Sequence, residues 1–429
     1  LGLEGELVPT REAARHVFVA HHGRLELMPG GMALAVPTRI GPLLETPLLS
    51  AVGKMRLLAE PLIPRSRSPE EDESIESFFT RRLGSEGARC LAAPLLGGIY
   101  AGDVSKLSIQ ATFPQLVELE ARHGSLLRGF LALELARGKG AEGVAGLASP
   151  TLGDVYTWLR RAGAAQAPSP FLSLRSGMGS LIDALARSLP SGVARTDAPV
   201  TRIERTADGF RVEVAGSEVL EADSVVLAAQ AHVAAQLVPD AELARELGGI
   251  PYVSTATVFF GLHPSTVAHN LEGFGFIVPE GEAEILASTW VSSKWDGRAP
   301  GGMALVRAFV GGARDPLRVA SSTDDELVAL ARGELERFMG TLGTPRFTRV
   351  YRYVGAGPQP HLGHNARLSR ISARLREIPG LHVAGAAYGG VGIPDCVRQA
   401  RAVARTVMDA LSSSGGANRS TEENSASVS

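Results

Sequence analysis

Apolar and polar positions alternate along "HVFVAHHGRLELMP", residues 16–29, on either side of a His-His-Gly break, a pattern that predicts a strand, a turn and a second strand. Between residues 250 and 312, "VSTATVFFGL", "FGFIVP", "EILASTWV" and "MALVRAFVGG" read as further strands, and "FTRVYRYV" as another. A helix is predicted near Thr323–Phe338. In "SGMGSLIDALARSL" the spacing of Leu181, Ile182, Leu185 and Leu189 puts four apolar side chains on one helical face. "VTRIERTADGFRVEVAGSEVLEADSVVLAA" predicts a hairpin through Asp208-Gly209 and a third, heavily apolar strand, which leaves through a turn into a short helix. From Phe78 to about Gly138 strand signals are few and Leu, Ala and Glu abound, so a helical layer is expected. "SRSPEEDESIESFFTRRLG" reads as a polar loop running into a helix start, and "AEGVAGLASPTLGD" as a surface loop. The last residues, "SSSGGANRSTEENSASVS", have the composition of a disordered tail. Together these elements predict an α/β fold with discontinuous domains: a central α/β domain, a second built on a large mixed sheet, and a helical layer.

Charge removes one class of function. With 43 basic and 45 acidic residues there is no global attraction to nucleic acid. Cys90 and Cys396 are the two cysteines, too few for a disulfide scaffold or a structural zinc site, and a reducing cytoplasm is the simplest setting. No run approaches the roughly 18 apolar residues of a membrane-spanning helix, and no signal peptide is visible. His361 and His364 make a poor metal site by themselves, and no catalytic triad stands out.

The candidate chemistry lies in "LREIPGLHVAGAAYGGVGIPDCVRQARAVARTV", residues 375–407. A short apolar strand ends at Ala384, and Gly385, Gly389, Gly390 and Gly392 leave backbone exposed. Asp395 can begin a helix whose Ala400, Val403, Ala404 and Val407 fall on one face. A helix start directs N–H groups at partial negative charge, which suits the pyrimidine edge of a flavin. A glycine-rich turn that only packs a helix on a sheet is the alternative.

"LHVAGAAYGGVGIPDCVRQARAVA" resembles the C-terminal flavin motif of the protoporphyrinogen and coproporphyrinogen oxidase family, within the amine oxidase and phytoene desaturase superfamily. "LLGGIYAGDVSKLSIQATFPQLVELEARHGSLLRGF" (residues 95–130), "SGMGSLIDALARSL" and "QPHLGHNARLSRISARL" resemble further blocks of that family, so the likeness runs from about residue 1 to 411. It implies an amine oxidase-like fold with three parts: a discontinuous FAD domain (170–245 and 371–411), a mixed-sheet substrate domain (1–60 and 246–370) and a helical membrane-facing domain (61–165), with the tail at 412–429. It also implies FAD as cofactor, held by Val200, Gly385, Gly392, Ile393, Pro394 and Asp395. The implied reaction is FAD-dependent oxidation of protoporphyrinogen IX to protoporphyrin IX in haem biosynthesis. Six electrons leave in three hydride transfers, with molecular oxygen as acceptor and hydrogen peroxide as product. Coproporphyrinogen III is the alternative substrate, and extra basic groups at the pocket would distinguish it. An amine or carotenoid oxidoreductase and a noncatalytic tetrapyrrole-binding remnant are broader alternatives.

By the same resemblance Gly98, Ile99, Tyr100, Ala101 and Gly102 form a backbone-rich wall beside the macrocycle, and Trp290 and Trp295 contact the ring from the other side. Arg15 stands nearest to where the family places a propionate-binding arginine, though an ungapped match puts Val17 there. The helical stretch with Phe130, Leu131, Arg122 and Arg128 is expected to lie on a membrane interface, giving a cytoplasmic protein peripheral to the inner face of the plasma membrane and compatible with a homodimer. The chain opens on Leu1 without the strand, G-x-G-x-x-G turn and helix that receive the FAD pyrophosphate in this family. The expectation is therefore a fragment that binds FAD weakly or not at all and is inactive as it stands.

Overall fold

A computed structural model describes residues 1–12, 15–65, 71–136, 150–160, 171–216 and 218–426, with side chains described as far as Ser412. The proposed loop around 141–149 and the start of the polar loop at 66–70 lie outside these residues. The chain divides into two compact units, one of Leu1–Pro190 with Val253–Gly357, the other of Ser191–Tyr252 with the residues from Pro358 onward.

Seven strands organise the first unit: β1 (Val17–His21), β2 (Arg24–Leu27), β3 (Tyr252–Leu262), β4 (Gly275–Ile277), β5 (Ile285–Trp290), β6 (Ala304–Gly311) and β7 (Phe347–Pro358). They lie in the order β7-β3-β6-β5-β4-β1-β2. β4 and β1 run parallel, whereas β3/β6, β6/β5, β5/β4 and β1/β2 are antiparallel, so the sheet is mixed. The hairpin β1–β2 closes through His22 and Gly23, both at positive φ (51° and 75°), the two-residue turn whose twist matches the strands.

One face of this sheet is a core. The helix Asp324–Met339 starts in a capping box: Glu326 donates its N–H to the Thr323 hydroxyl, and its carboxylate accepts the Thr323 N–H at 2.7 Å. Its Leu327, Ala331, Leu335, Phe338 and Met339 join Val258, Phe260, Val306, Ala308 and Val310 in one apolar cluster. Burying each large side chain contributes about 1.5–3 kcal/mol. The alternate residues of β6, Leu305, Arg307 and Phe309, are only half-buried on the opposite face.

Helices Ile75–Gly87, Pro114–His123 and Leu126–Ala136, with a π-helical stretch at Ala88–Gly97, form the expected helical layer. The fully buried Arg82 and Glu60 anchor it. Arg82 Nε donates to Glu60 Oε1 at 2.7 Å, and the same carboxylate accepts the Ser125 hydroxyl and the N–H groups of Leu126 and Leu127. In the stretch expected to face a membrane, Leu133 and Leu135 are exposed. Leu126, Leu127, Leu131 and Ala132 are buried in this layer, Phe130 is half-buried, and Arg122 is paired with Glu118. No helix among the described residues is long and apolar enough to cross a membrane.

The domain boundary also differs from the expected one at residue 170. Strand Leu172–Leu174 pairs antiparallel with Leu7–Pro9, which fixes the segment before residue 191 in the first unit. The predicted helix there is present at Gly179–Ser188, with Ile182, Leu185 and Leu189 exposed.

The second unit holds an antiparallel meander (Val200–Arg205, Phe210–Val214, Glu218–Ala222) and a parallel pair, Val225–Leu227 with Leu381–Val383. Phe210, Leu227, Ala231, Leu243, Leu247, Ile371 and Leu381 form its core. Ion pairs join helices Ala241–Gly248 and His364–Arg376, with Glu246 accepting from Arg367 and Arg370. The final helix runs from Ile393 to Ala426, so the expected disordered tail is helical through most of its length. After Pro394 no proline interrupts the backbone ladder, which lets the helix continue through the Ser- and Gly-rich stretch.

Candidate functional site

The half-buried face of the seven-stranded sheet is built by strand parity. Phe259, Arg307, Thr289, Gly275 and Val17 stand in register across β3, β6, β5, β4 and β1. Two positions along, Thr257, Phe309, Ala287, Ile277 and Val19 form the neighbouring row. The Arg307 guanidinium lies over the rings of Phe309 at 4.4 Å and Phe259 at 5.6 Å. Beyond β5, the Lys294 ammonium lies 5.0 Å from the ring centre of Phe274, 5.4 Å from Phe171 and 5.8 Å from Trp295. Burial depresses the pKa of both cations, and the charge of Arg307 lowers that of Lys294 further. Among the described residues neither is ion-paired, and Arg307 Nε is buried without a hydrogen-bond partner. Sequence reasoning passed over both. The available signal was "ALVRAFV", a strand apolar on both faces and interrupted by one cation.

The glycine turn is joined to the end of β6. Gly98–Tyr100 forms a short helical turn, and Ala101 follows in the left-handed conformation (φ 48°). The Ala101 carbonyl accepts the N–H of Ala313 at 2.8 Å. A Cβ at Gly312 would lie 2.4 Å from that oxygen, so the close approach requires glycine. Gly98 and Ile99 are exposed, whereas the Tyr100 side chain is buried against Phe113, so Tyr100 could join the expected wall through its backbone. Gly102 lines a separate cavity of about 520 Å³ with Arg89, Asp103 and Arg314.

Of the two tryptophans expected at the ring, Trp295 belongs to the aromatic cluster around Lys294 and Trp290 does not. Trp290 is fully buried in the sheet's core, 5.5 Å from Phe18 and 4.5 Å from His269 between ring centres. An irregularity between Ile285 and Ala287 shifts the register of β5, and Ser288 and Trp290 consequently share the buried face with Ile285. Arg15, expected to bind a propionate, pairs with the exposed Glu12 at 3.2 Å.

In the second unit, Gly385 follows strand Leu381–Val383 at φ 141°, with open space where a Cβ would stand. Gly390 (φ 112°) lies against Asp395, whose carboxylate pairs with Arg398 at 2.7 Å. The helix starts at Ile393, two residues before Asp395. The Gly392 carbonyl accepts the N–H groups of both Asp395 and Cys396, and Pro394 has none, so the helix start is less open than expected. Beside the turn, the hydroxyl of Tyr388 and Nε2 of Gln399, a residue of the final helix, are buried without hydrogen-bond partners among the described residues. Val200 is exposed at the start of the meander. Among the described residues no cluster of His, Cys, Asp and Glu could hold a metal ion.

The pattern that defines the flavin containing amine oxidoreductases matches residues 1–408. The chain is 32% identical over 413 residues to coproporphyrinogen III oxidase of Bacillus subtilis (strain 168), covering 96% of this chain and 82% of that protein. It is 31% identical over 426 residues to human protoporphyrinogen oxidase, covering 95% and 83%. The fold superposes with a TM-score of 0.78 on a crystal structure from Exiguobacterium sp. 255-15 provisionally assigned as a protoporphyrinogen oxidase, at 30% identity and covering 95% and 82%.

The chain belongs to the porphyrinogen oxidase branch of the flavin-containing amine oxidoreductases. This flavoprotein uses FAD, and the turn from Gly385 to Asp395 fits such a group. Its open Gly385 admits a flat ring close to the backbone, and the unsatisfied Tyr388 and Gln399 atoms supply polar partners that the protein itself leaves unused.

Proposed function

We propose that this oxidase converts coproporphyrinogen III to coproporphyrin III. One observation carries the choice of substrate: the half-buried sheet face and the short helix after β5 combine aromatic rings with two cations, Arg307 and Lys294, that have no acidic partner among the described residues. Aromatic surface suits a tetrapyrrole ring, and unpaired cations suit its carboxylates. Protoporphyrinogen IX, placed first on sequence alone, carries two vinyl groups where coproporphyrinogen III carries two further propionates, and so leaves more of this positive charge unanswered. The name of the Bacillus subtilis relative points the same way.

FAD, when bound, supplies the two-electron acceptance that three successive oxidations of the macrocycle need, with three oxygen molecules leaving as three hydrogen peroxide. The protein's part is to hold and orient. Phe259, Phe309 and Trp295 exclude water from the ring, while the exposed backbone at Gly98 and Ile99 bounds it. No side chain is assigned as a general base, because the pyrrole N–H groups can release the protons themselves.

The test is a comparison of substrates. The purified protein, given excess FAD and air, should form fluorescent porphyrin from coproporphyrinogen III with kcat/KM at least about tenfold above that for protoporphyrinogen IX, or ~1.4 kcal/mol of differential transition-state binding. Preference for protoporphyrinogen IX, or oxidation of neither, would refute the proposal.

A further inference from the structure

We infer that Lys294 and Arg307 form a clamp for the propionate carboxylates that coproporphyrinogen III has and protoporphyrinogen IX lacks. The inference rests on the porphyrinogen reading and adds the residues that select among porphyrinogens.

Its basis is a contrast within the chain. Four partly or fully sheltered arginines elsewhere are answered by carboxylates: Arg81 by Glu73 and Glu120, Arg82 by Glu60, Arg367 by Glu246 and Arg374 by Asp240. Arg314, also desolvated, has only the nearby charge of Glu280 and, among the described residues, no ring contact of this kind. Lys294 and Arg307 are sheltered too, yet among the described residues they meet aromatic rings and no ion-paired carboxylate. Removing a cation from water is costly, and ring contacts offset that cost only in part. Their charges also oppose each other. A carboxylate entering this face would answer both at once. Arg307 offers a planar fork matched to two carboxylate oxygens, and Lys294 offers a compact charge on a flexible stem. The aromatic lining favours a carboxylate attached to a ring over a small free anion.

The geometry also explains how the clamp is held. Arg307 sits mid-strand in β6, paired in register with Phe259 on one side and Thr289 on the other. Lys294 ends the short helix Val291–Lys294 that directly follows β5, and Ser292 of that helix accepts the Leu305 N–H of β6 at 3.1 Å. The two cations are thus carried on adjoining elements tied by a hydrogen bond.

Lys294→Met, Arg307→Met and Arg307→Lys test the clamp in the FAD-supplied protein. Two readouts are needed: kcat and KM with each porphyrinogen, and dissociation constants for coproporphyrin III and protoporphyrin IX from porphyrin fluorescence. Either methionine variant should raise KM and the dissociation constant for the four-carboxylate ligand at least about tenfold, and much less for the two-carboxylate ligand. Arg307→Lys should recover part of the loss. In the unaltered protein, added salt should weaken coproporphyrin III binding more than protoporphyrin IX binding, a result independent of whether any variant folds. Equal losses for both ligands, or no loss with coproporphyrin III, would overturn the clamp. Oxidation of neither porphyrinogen by the unaltered protein would instead remove the functional reading on which the clamp rests.

Discussion

Gly312 shows how a single residue can set the position of a distant loop. Its φ of 73° and the 2.4 Å that would separate an added methyl group from the Ala101 oxygen leave no room for a side chain. Gly312→Ala should therefore lower unfolding free energy by about 1–3 kcal/mol, through backbone strain and displacement of the Gly98–Gly102 turn. Urea denaturation measures this directly, and a variant as stable as the parent would show that the turn is not held at β6. The sequence displayed both glycine-rich turns but not their supports, since residues 101 and 312 meet only through the fold. Lys294 and Arg307 escaped notice for a similar reason. A lone cation in a strand reads as a solvated position until its surroundings show rings and no carboxylate.

At the scale of elements, periodicity was a good guide wherever the backbone stayed regular. β1 to β7 and the helix Asp324–Met339 all follow patterns visible in the sequence. Trp290 marks the limit, because the register shift in β5 changes which residues face inward, and no count of alternate positions reveals it. The stretch around Leu126–Ala136 marks another: an apolar helical stripe has the same period whether it meets lipid or its own core. Here Leu126, Leu127 and Leu131 pack on the layer that Arg82 and Glu60 anchor, while Leu133 and Leu135 stay exposed. That pair carries its own prediction. Arg82→Met leaves the Glu60 carboxylate buried without its cation and should cost about 3–5 kcal/mol. Combining it with Glu60→Gln removes the stranded charge while keeping one amide oxygen as acceptor for either Leu126 or Leu127, which bond different Glu60 oxygens, so the double variant should unfold at higher urea than Arg82→Met alone. Additive losses would contradict this account of the network.

Over the whole molecule, the family and its cofactor were legible because four ordered sequence blocks occur together, a far more specific signal than any one glycine-rich turn. Substrate preference was not legible: the proposed clamp joins a strand residue, Arg307, to Lys294 on the short helix after β5, and no local pattern links the two. The central claim, that this flavoprotein oxidises coproporphyrinogen III, meets its most direct test without oxygen. FAD-supplied protein mixed anaerobically with coproporphyrinogen III should lose its oxidised-flavin absorbance as porphyrin fluorescence appears. Flavin absorbance that persists unchanged after coproporphyrinogen III is added would contradict the claim.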